Sequence, residues 1–140
     1  MSADWDFIVV GSGFGGSVSA LRLVEKGYRV LLLEQGRRLT AADFPTTNWD
    51  LRRWLWWPSL GGRGLFQMSF FRHVTVLSGV GVGGGSLVYA NTLPVPPDEF
   101  FTAPSWGHLA DFKRELEPHY ATAKNMLGTT ENPRSTFPDE

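Results

Sequence analysis

The run Asp6-Phe-Ile-Val-Val-Gly11-Ser-Gly13-Phe-Gly-Gly16, followed later by Glu34, constrains this chain more than any other feature. Phe7 to Val10 are apolar and largely β-branched without alternation, the pattern of a parallel strand covered on both faces. The three glycines then form G-x-G-x-x-G. Gly11 suits the tight turn out of the strand, Gly13 lets backbone approach a pyrophosphate, and Gly16 lets helix and strand pack closely. The phosphates of such a ligand sit on the free N–H groups at the start of the following helix. Ala20, Leu23 and Gly27 fall on the face and at the end of that helix, and Val30 to Leu33 make a second buried strand that stops at Glu34. An acid at about this spacing hydrogen-bonds ribose hydroxyls and repels a 2′-phosphate, which disfavours NADP and leaves FAD or NAD. The bland alternative is a βαβ unit that binds nothing. It requires strand, turn, helix and acid to fall into register by accident.

The 140 residues, 42% of them hydrophobic, suit a single domain with a core. A formal charge of −1 with no basic run argues against nucleic acid as a partner. The chain contains no cysteine, and its three histidines, His73, His108 and His119, lack metal-ligand spacing, so no metal is expected. The start has neither a basic segment nor a long apolar stretch, which makes a cytoplasmic location the expectation. No apolar run approaches the roughly 20 residues that span a bilayer.

After Glu34, Arg37 and Arg38 read as solvated turn residues rather than phosphate ligands, and residues 40–48 read as an irregular crossing instead of the next Rossmann helix. Trp49, Trp54, Trp56 and Trp57 crowd a short segment that is expected to be helical, capped by Asn48 and ended by Pro58. Leu51, Trp54 and Leu55 would share one face. Core packing, the wall of an apolar substrate cavity and a transient membrane-interface contact are three readings of these tryptophans. Residues 65–77 have strand composition, with a break at Arg72-His73 that makes His73 a turn or strand residue. Gly79, Gly81, Gly83, Gly84 and Gly85 form a second glycine cluster, which fits neither regular helix nor strand but does fit backbone laid against a flat or charged ligand. Ser86 can cap a helix or bond a phosphate there. A flexible linker is the alternative. Pro94, Pro96 and Pro97 impose an extended segment, and residues 106–128 read as helical, with Pro118 starting a second helix and Gly128 ending it. The tail beyond is polar and proline-containing.

The pair Gly11-Ser-Gly13-Phe-Gly-Gly16 with Glu34 and Gly81-Val-Gly83-Gly84-Gly85-Ser86 resembles the glucose-methanol-choline (GMC) flavin oxidoreductases, and most closely their sterol-oxidising branch. Support comes from Leu116-Glu-Pro-His-Tyr120 and Asn125-Met-Leu-Gly128. Two departures stand out: Val80 where that branch usually has arginine, and Tyr89-Ala90 where it has Asn-Gly, with Asn91 two positions later. The resemblance implies an α/β, Rossmann-like FAD-binding βαβ unit with an elaborated β/aromatic insertion and C-terminal helices, forming an incomplete domain. Within it, residues 1–36 would be the ADP-binding unit, 78–91 the flavin-contacting stretch and 106–128 the helical segment. It also implies ADP contacts from Gly11, Gly13, Phe14, Gly15, Gly16 and Glu34, with Gly81, Gly83, Gly84, Gly85, Ser86 and Asn91 nearer the flavin. The substrate would be an alcohol or sterol, the flavin would take its hydride, and the catalytic residues and substrate domain would lie outside these 140 residues. A non-catalytic dinucleotide-binding module and a truncated, nonfunctional remnant are the competing classes.

Overall fold

The computed structural model describes residues 4–131. It divides into two compact units, Met1–Asn91 and Thr92–Glu140. In the first unit, β1 (Phe7–Val10) leads through the glycine turn into α1 (Phe14–Glu25) and back to β2 (Val30–Leu33). The two strands pair in parallel, with Phe7 opposite Val30 and Val10 opposite Leu33. Asp6 ties their entrances together, its carboxylate accepting the Arg29 backbone N–H at 2.7 Å. This βαβ unit follows from the local pattern: two short apolar runs paired in parallel need a crossover, here helical, to lie side by side.

Among the described residues of this unit, the expected cover on both faces is missing. Val10 is 82% exposed, and Ile8 and Leu33 also face outward. A parallel sheet needs a helical layer on each face and neighbours beyond two strands. In this unit α1 is the helix packed on the pair, so the domain is incomplete.

The aromatic segment departs from the expected helix. Only α2 (Leu51–Trp54) is helical, and its cap is Asp50, not Asn48, with the Asp50 carboxylate accepting the Arg53 N–H at 3.3 Å. Trp56–Trp57 instead form β3, which pairs antiparallel with β4 (Gly62–Arg63) across the turn Pro58–Leu60. Adjacent tryptophans favour extended backbone, and a single helical turn is too short to resist that preference. Trp54 stacks on Phe66 with ring centroids 4.9 Å apart, while Trp49 is 88% exposed.

The strand composition of residues 65–77 is realised as β5 (Phe66–Phe70) and β6 (Thr75–Gly79), which pair antiparallel as a hairpin with Arg72 and His73, the expected break, in its turn. The hairpin base closes on the buried pair Leu65 and Val80, through the Val80 N–H to the Leu65 carbonyl at 2.8 Å. β6 delivers the chain straight into the second glycine cluster, where Gly84–Leu87 make one tight helical turn.

The second unit holds α3 (Asp98–Phe101) and α4 (Phe112–Leu127). Residues 102–111 are turns, so the helix expected from residue 106 starts later, where the Asp111 carboxylate accepts the Arg114 N–H. Pro118 does not start a second helix but lies inside α4. The ring removes one backbone hydrogen bond, and the Lys, Arg, Glu, Leu and Ala residues around it keep the turns on either side helical. Gly128 ends α4 in the left-handed conformation, with its N–H on the Lys124 carbonyl. Along α4, Phe112, Leu116 and Tyr120 are half-buried, whereas Ala123 and Leu127 are exposed. The expected polar tail from residue 132 onward lies outside the described residues.

Candidate dinucleotide site

The two glycine clusters lie against each other. At Gly16 an added Cβ would strike the Gly11 carbonyl, so only glycine permits the helix to start this close to the strand exit. At Gly13 an added Cβ would meet no protein atom within 4 Å, although Gly84 approaches from the other side, where its own added Cβ would stand 3.0 Å from the Gly13 Cα. Gly13 therefore opens onto free space, and nothing in the chain itself requires the missing side chain there. Gly13 heads α1 without any side-chain cap, and no acidic residue stands in the first turn. The resulting face of uncapped N–H groups and positive helix dipole suits a diphosphate. The residues present thus fit a dinucleotide.

Further along the same junction, the Val82 N–H donates to the Arg37 carbonyl at 3.0 Å, and Gly36 is packed on Gly81. Gly83 has φ +111°, a left-handed conformation that disfavours other residues. Gly85 faces the Phe14 ring, whose other neighbour is Tyr89, edge-on at 5.6 Å. The Tyr89 hydroxyl donates to Asn91 Oδ1 at 2.8 Å, which connects Asn91 to this group through one ring. The Ser86 hydroxyl donates to the Gly83 carbonyl at 3.0 Å, so it braces its own turn and does not cap a longer helix.

Glu34, just past β2, meets the first glycine turn. Its Oε2 accepts the Ser12 N–H at 2.9 Å and the Ser12 hydroxyl at 2.7 Å, and its Oε1 accepts the Gly36 N–H at 2.8 Å. Partial burial works against the carboxylate charge, but the donors of Gly36, Ser12 and Gln35 outweigh it and hold the carboxyl below its ordinary range. Oε1, with one such bond, keeps acceptor capacity for a ribose hydroxyl.

Ser12, which the sequence reading passed over as a spacer, is the buried polar residue at the centre of this arrangement, 2% exposed. A small hydroxyl between the first two glycines was the one available signal. Arg37 is exposed, with a 3.9 Å approach to Asp43, in keeping with a solvated arginine. His73 lies exposed in the β5–β6 turn, apart from the glycine junction.

A family model described as an NAD(P)-binding Rossmann-like domain matches residues 9–74. The class defined by this fold and site is therefore the Rossmann-like dinucleotide-binding proteins. Cholesterol oxidase of Mycobacterium tuberculosis (strain ATCC 25618 / H37Rv) is 54% identical over 99% of this chain and 24% of its own length. Cholesterol oxidase of Acinetobacter baumannii is 54% identical over 92% of this chain and 23% of its own. A long-chain-alcohol oxidase of Arabidopsis thaliana is 33% identical over 90% of this chain and 16% of its own. More particularly, then, the chain matches the cholesterol-oxidase branch of the GMC oxidoreductases, and it spans about a quarter of the length of the cholesterol oxidases. No helix among the described residues is long and apolar enough to cross a membrane.

Proposed function

We propose that this chain is the FAD-binding portion of a GMC-type oxidoreductase that oxidises an alcohol, a sterol being the leading candidate. The observation that carries the reading is the junction itself: an uncapped helix start, an open face at Gly13 and a second glycine stretch packed beside the first. The names of the relatives, cholesterol oxidase and long-chain-alcohol oxidase, support the substrate class. FAD, when bound, supplies the hydride acceptor. The chain's own part is to hold it. The N–H groups at the start of α1 would bind the diphosphate, Glu34 Oε1 would accept a ribose hydroxyl, and the stretch from Gly81 to Ser86, with Phe14 and Asn91 nearby, would line the flavin side. No base for the hydroxyl proton is assigned within these residues, so the proposal puts alcohol oxidation in the complete enzyme.

The experiment is a titration of the full chain with FAD and with NAD, followed by flavin absorbance and by protection against proteolysis. Binding of FAD with little or no NAD binding is expected. Preference for NAD would favour a non-catalytic nucleotide module, a reading to which the family description lends weight. The proposal extends to a cytoplasmic location, checked by cell fractionation, and to a transient membrane contact through exposed Trp49 and Leu60, checked by vesicle co-sedimentation.

A further inference from the structure

Ser12 touches two elements far apart in sequence with one hydroxyl. It donates to Glu34 Oε2 at 2.7 Å and accepts the Gly83 N–H at 3.0 Å. A serine hydroxyl has a single proton, so the carboxylate, by taking it, turns the oxygen lone pairs toward Gly83. The bond to a charged acceptor is the stronger of the two and polarises the oxygen for the second. The Ser12 carbonyl is also engaged, accepting the Ser17 hydroxyl at 2.7 Å, which fixes the serine to the first turn of α1. Gly83 starts the tight turn over Gly84–Leu87 in a left-handed conformation; its carbonyl is held from within that turn by the Ser86 hydroxyl at 3.0 Å and the Ser86 N–H at 3.2 Å, while its N–H reaches back to Ser12.

We propose that Ser12 is a positioning residue that couples the two halves of the dinucleotide site. Its hydroxyl transmits the placement of the Glu34 carboxylate to the Gly83 turn, so order at the ribose end sets the backbone that lines the flavin end. This inference deepens the FAD reading and rests on it for the ligand, but not for the coupling, which is a property of the chain alone.

Two measurements on the full chain test it. In the absence of any nucleotide, amide hydrogen exchange over residues 79–87 should rise about tenfold in Ser12→Ala, the upper scale of one lost neutral hydrogen bond, while β1 and β2 stay near wild type. Glu34→Ala should produce a rise at Gly83 at least as large, since Glu34 reaches that turn through Ser12 and also through Gly36, whose neighbour Arg37 accepts the Val82 N–H. The double variant should add little to Glu34→Ala, because the path through Ser12 is already broken in that variant. In the second measurement, Ser12→Ala should weaken FAD more than ADP, by about tenfold, because ADP lacks the flavin half that the second glycine stretch would line. A merely structural serine would cost FAD and ADP equally. Ser12→Cys, nearly the same size with a much weaker donor, gives the same two readouts if the alanine variant does not fold. Unchanged exchange at residues 79–87, additive effects of Ser12 and Glu34, or equal losses of FAD and ADP would each overturn the coupling. A wild-type chain that binds neither FAD nor ADP would overturn the cofactor reading, and the exchange result would still decide the role of Ser12.

Discussion

The glycine junction and the aromatic segment occupy the same unit and are built in opposite ways. Around Ser12 and Glu34, the junction's polar groups find partners within the chain: Ser12, Glu34, Gly36, Gly83 and the Ser86 hydroxyl all hold bonds of 2.7–3.0 Å. Along Trp49, Leu51, Trp57 and Leu60 the reverse holds, with large apolar side chains turned outward and Leu60 76% exposed. The difference lies in the range of the forces. A hydrogen bond is complete once one donor meets one acceptor, so a short chain can satisfy its polar groups. Burial of a tryptophan takes roughly 150–250 Å² of covering surface, which the described residues do not place over Trp49. The polar junction closes within these residues, whereas the aromatic surface does not.

The largest effect should come from the closest backbone contact in the junction. Gly16→Ala drives a methyl group into the Gly11 carbonyl, so the βαβ turn must open; a loss of about 3 kcal/mol or more is expected, read as a lower urea midpoint. Gly13→Ala sharpens the contrast, since its methyl meets no protein atom. Circular dichroism and the urea midpoint should stay near wild type while FAD binding falls about a hundredfold. A full flavin complement in that variant would show that the diphosphate lies elsewhere. Next in size is Glu34→Ala, expected to weaken FAD retention by about 1.5–3 kcal/mol, the scale of a hydrogen bond to a charged group, measured as flavin lost on dialysis.

A smaller effect follows from pH. The Glu34 carboxyl is held below its ordinary value of 4.5, so its contribution to stability is complete above that pH and is lost as the pH falls through the lower folded value. Asp6 and Asp43 are lowered as well, Asp6 chiefly by the Arg29 N–H and Asp43 chiefly by the Thr40 hydroxyl, and both act in the same direction. Glu34→Gln should therefore flatten, but not abolish, the acid side of a stability profile taken between pH 3 and 6, roughly. The smallest change in stability belongs to the aromatic segment. Trp49→Ser with Leu60→Ser should alter the urea midpoint by less than about 0.5 kcal/mol, because neither side chain is covered, yet should reduce hydrophobic-dye binding and self-association. A large destabilisation would mean that the segment is buried in solution and would remove the contrast with the junction.

Which features were legible in the sequence follows the same division. The βαβ unit could be read because every signal for it is local: two apolar runs, three spaced glycines and an acid in register. The strand content of β5 and β6, the break at Arg72-His73 and the stop at Gly128 were legible for the same reason, whereas the antiparallel pairing of the two strands was not. The aromatic segment was not, since Leu51, Trp54 and Leu55 satisfy helical spacing on paper, and only pairing with Gly62–Arg63 makes Trp56–Trp57 a strand. Pro118 misled in the other direction: a lost backbone bond argues for a break, but the neighbouring turns are strong enough helix formers to carry it.

The sequence by itself determined the two glycine motifs, their order and the acid at the end of the second strand, because backbone conformation and carboxylate chemistry are properties of single residues and their near neighbours. Only the tertiary structure decided that Gly84 would rest on Gly13 and that the hydroxyl of Ser12 would reach Gly83, 71 positions away. No spacing rule encodes that contact, since it arises where a strand exit and a hairpin exit meet in space, and the geometry of that meeting is set by how β1, β2 and β6 are placed rather than by any residue at the junction.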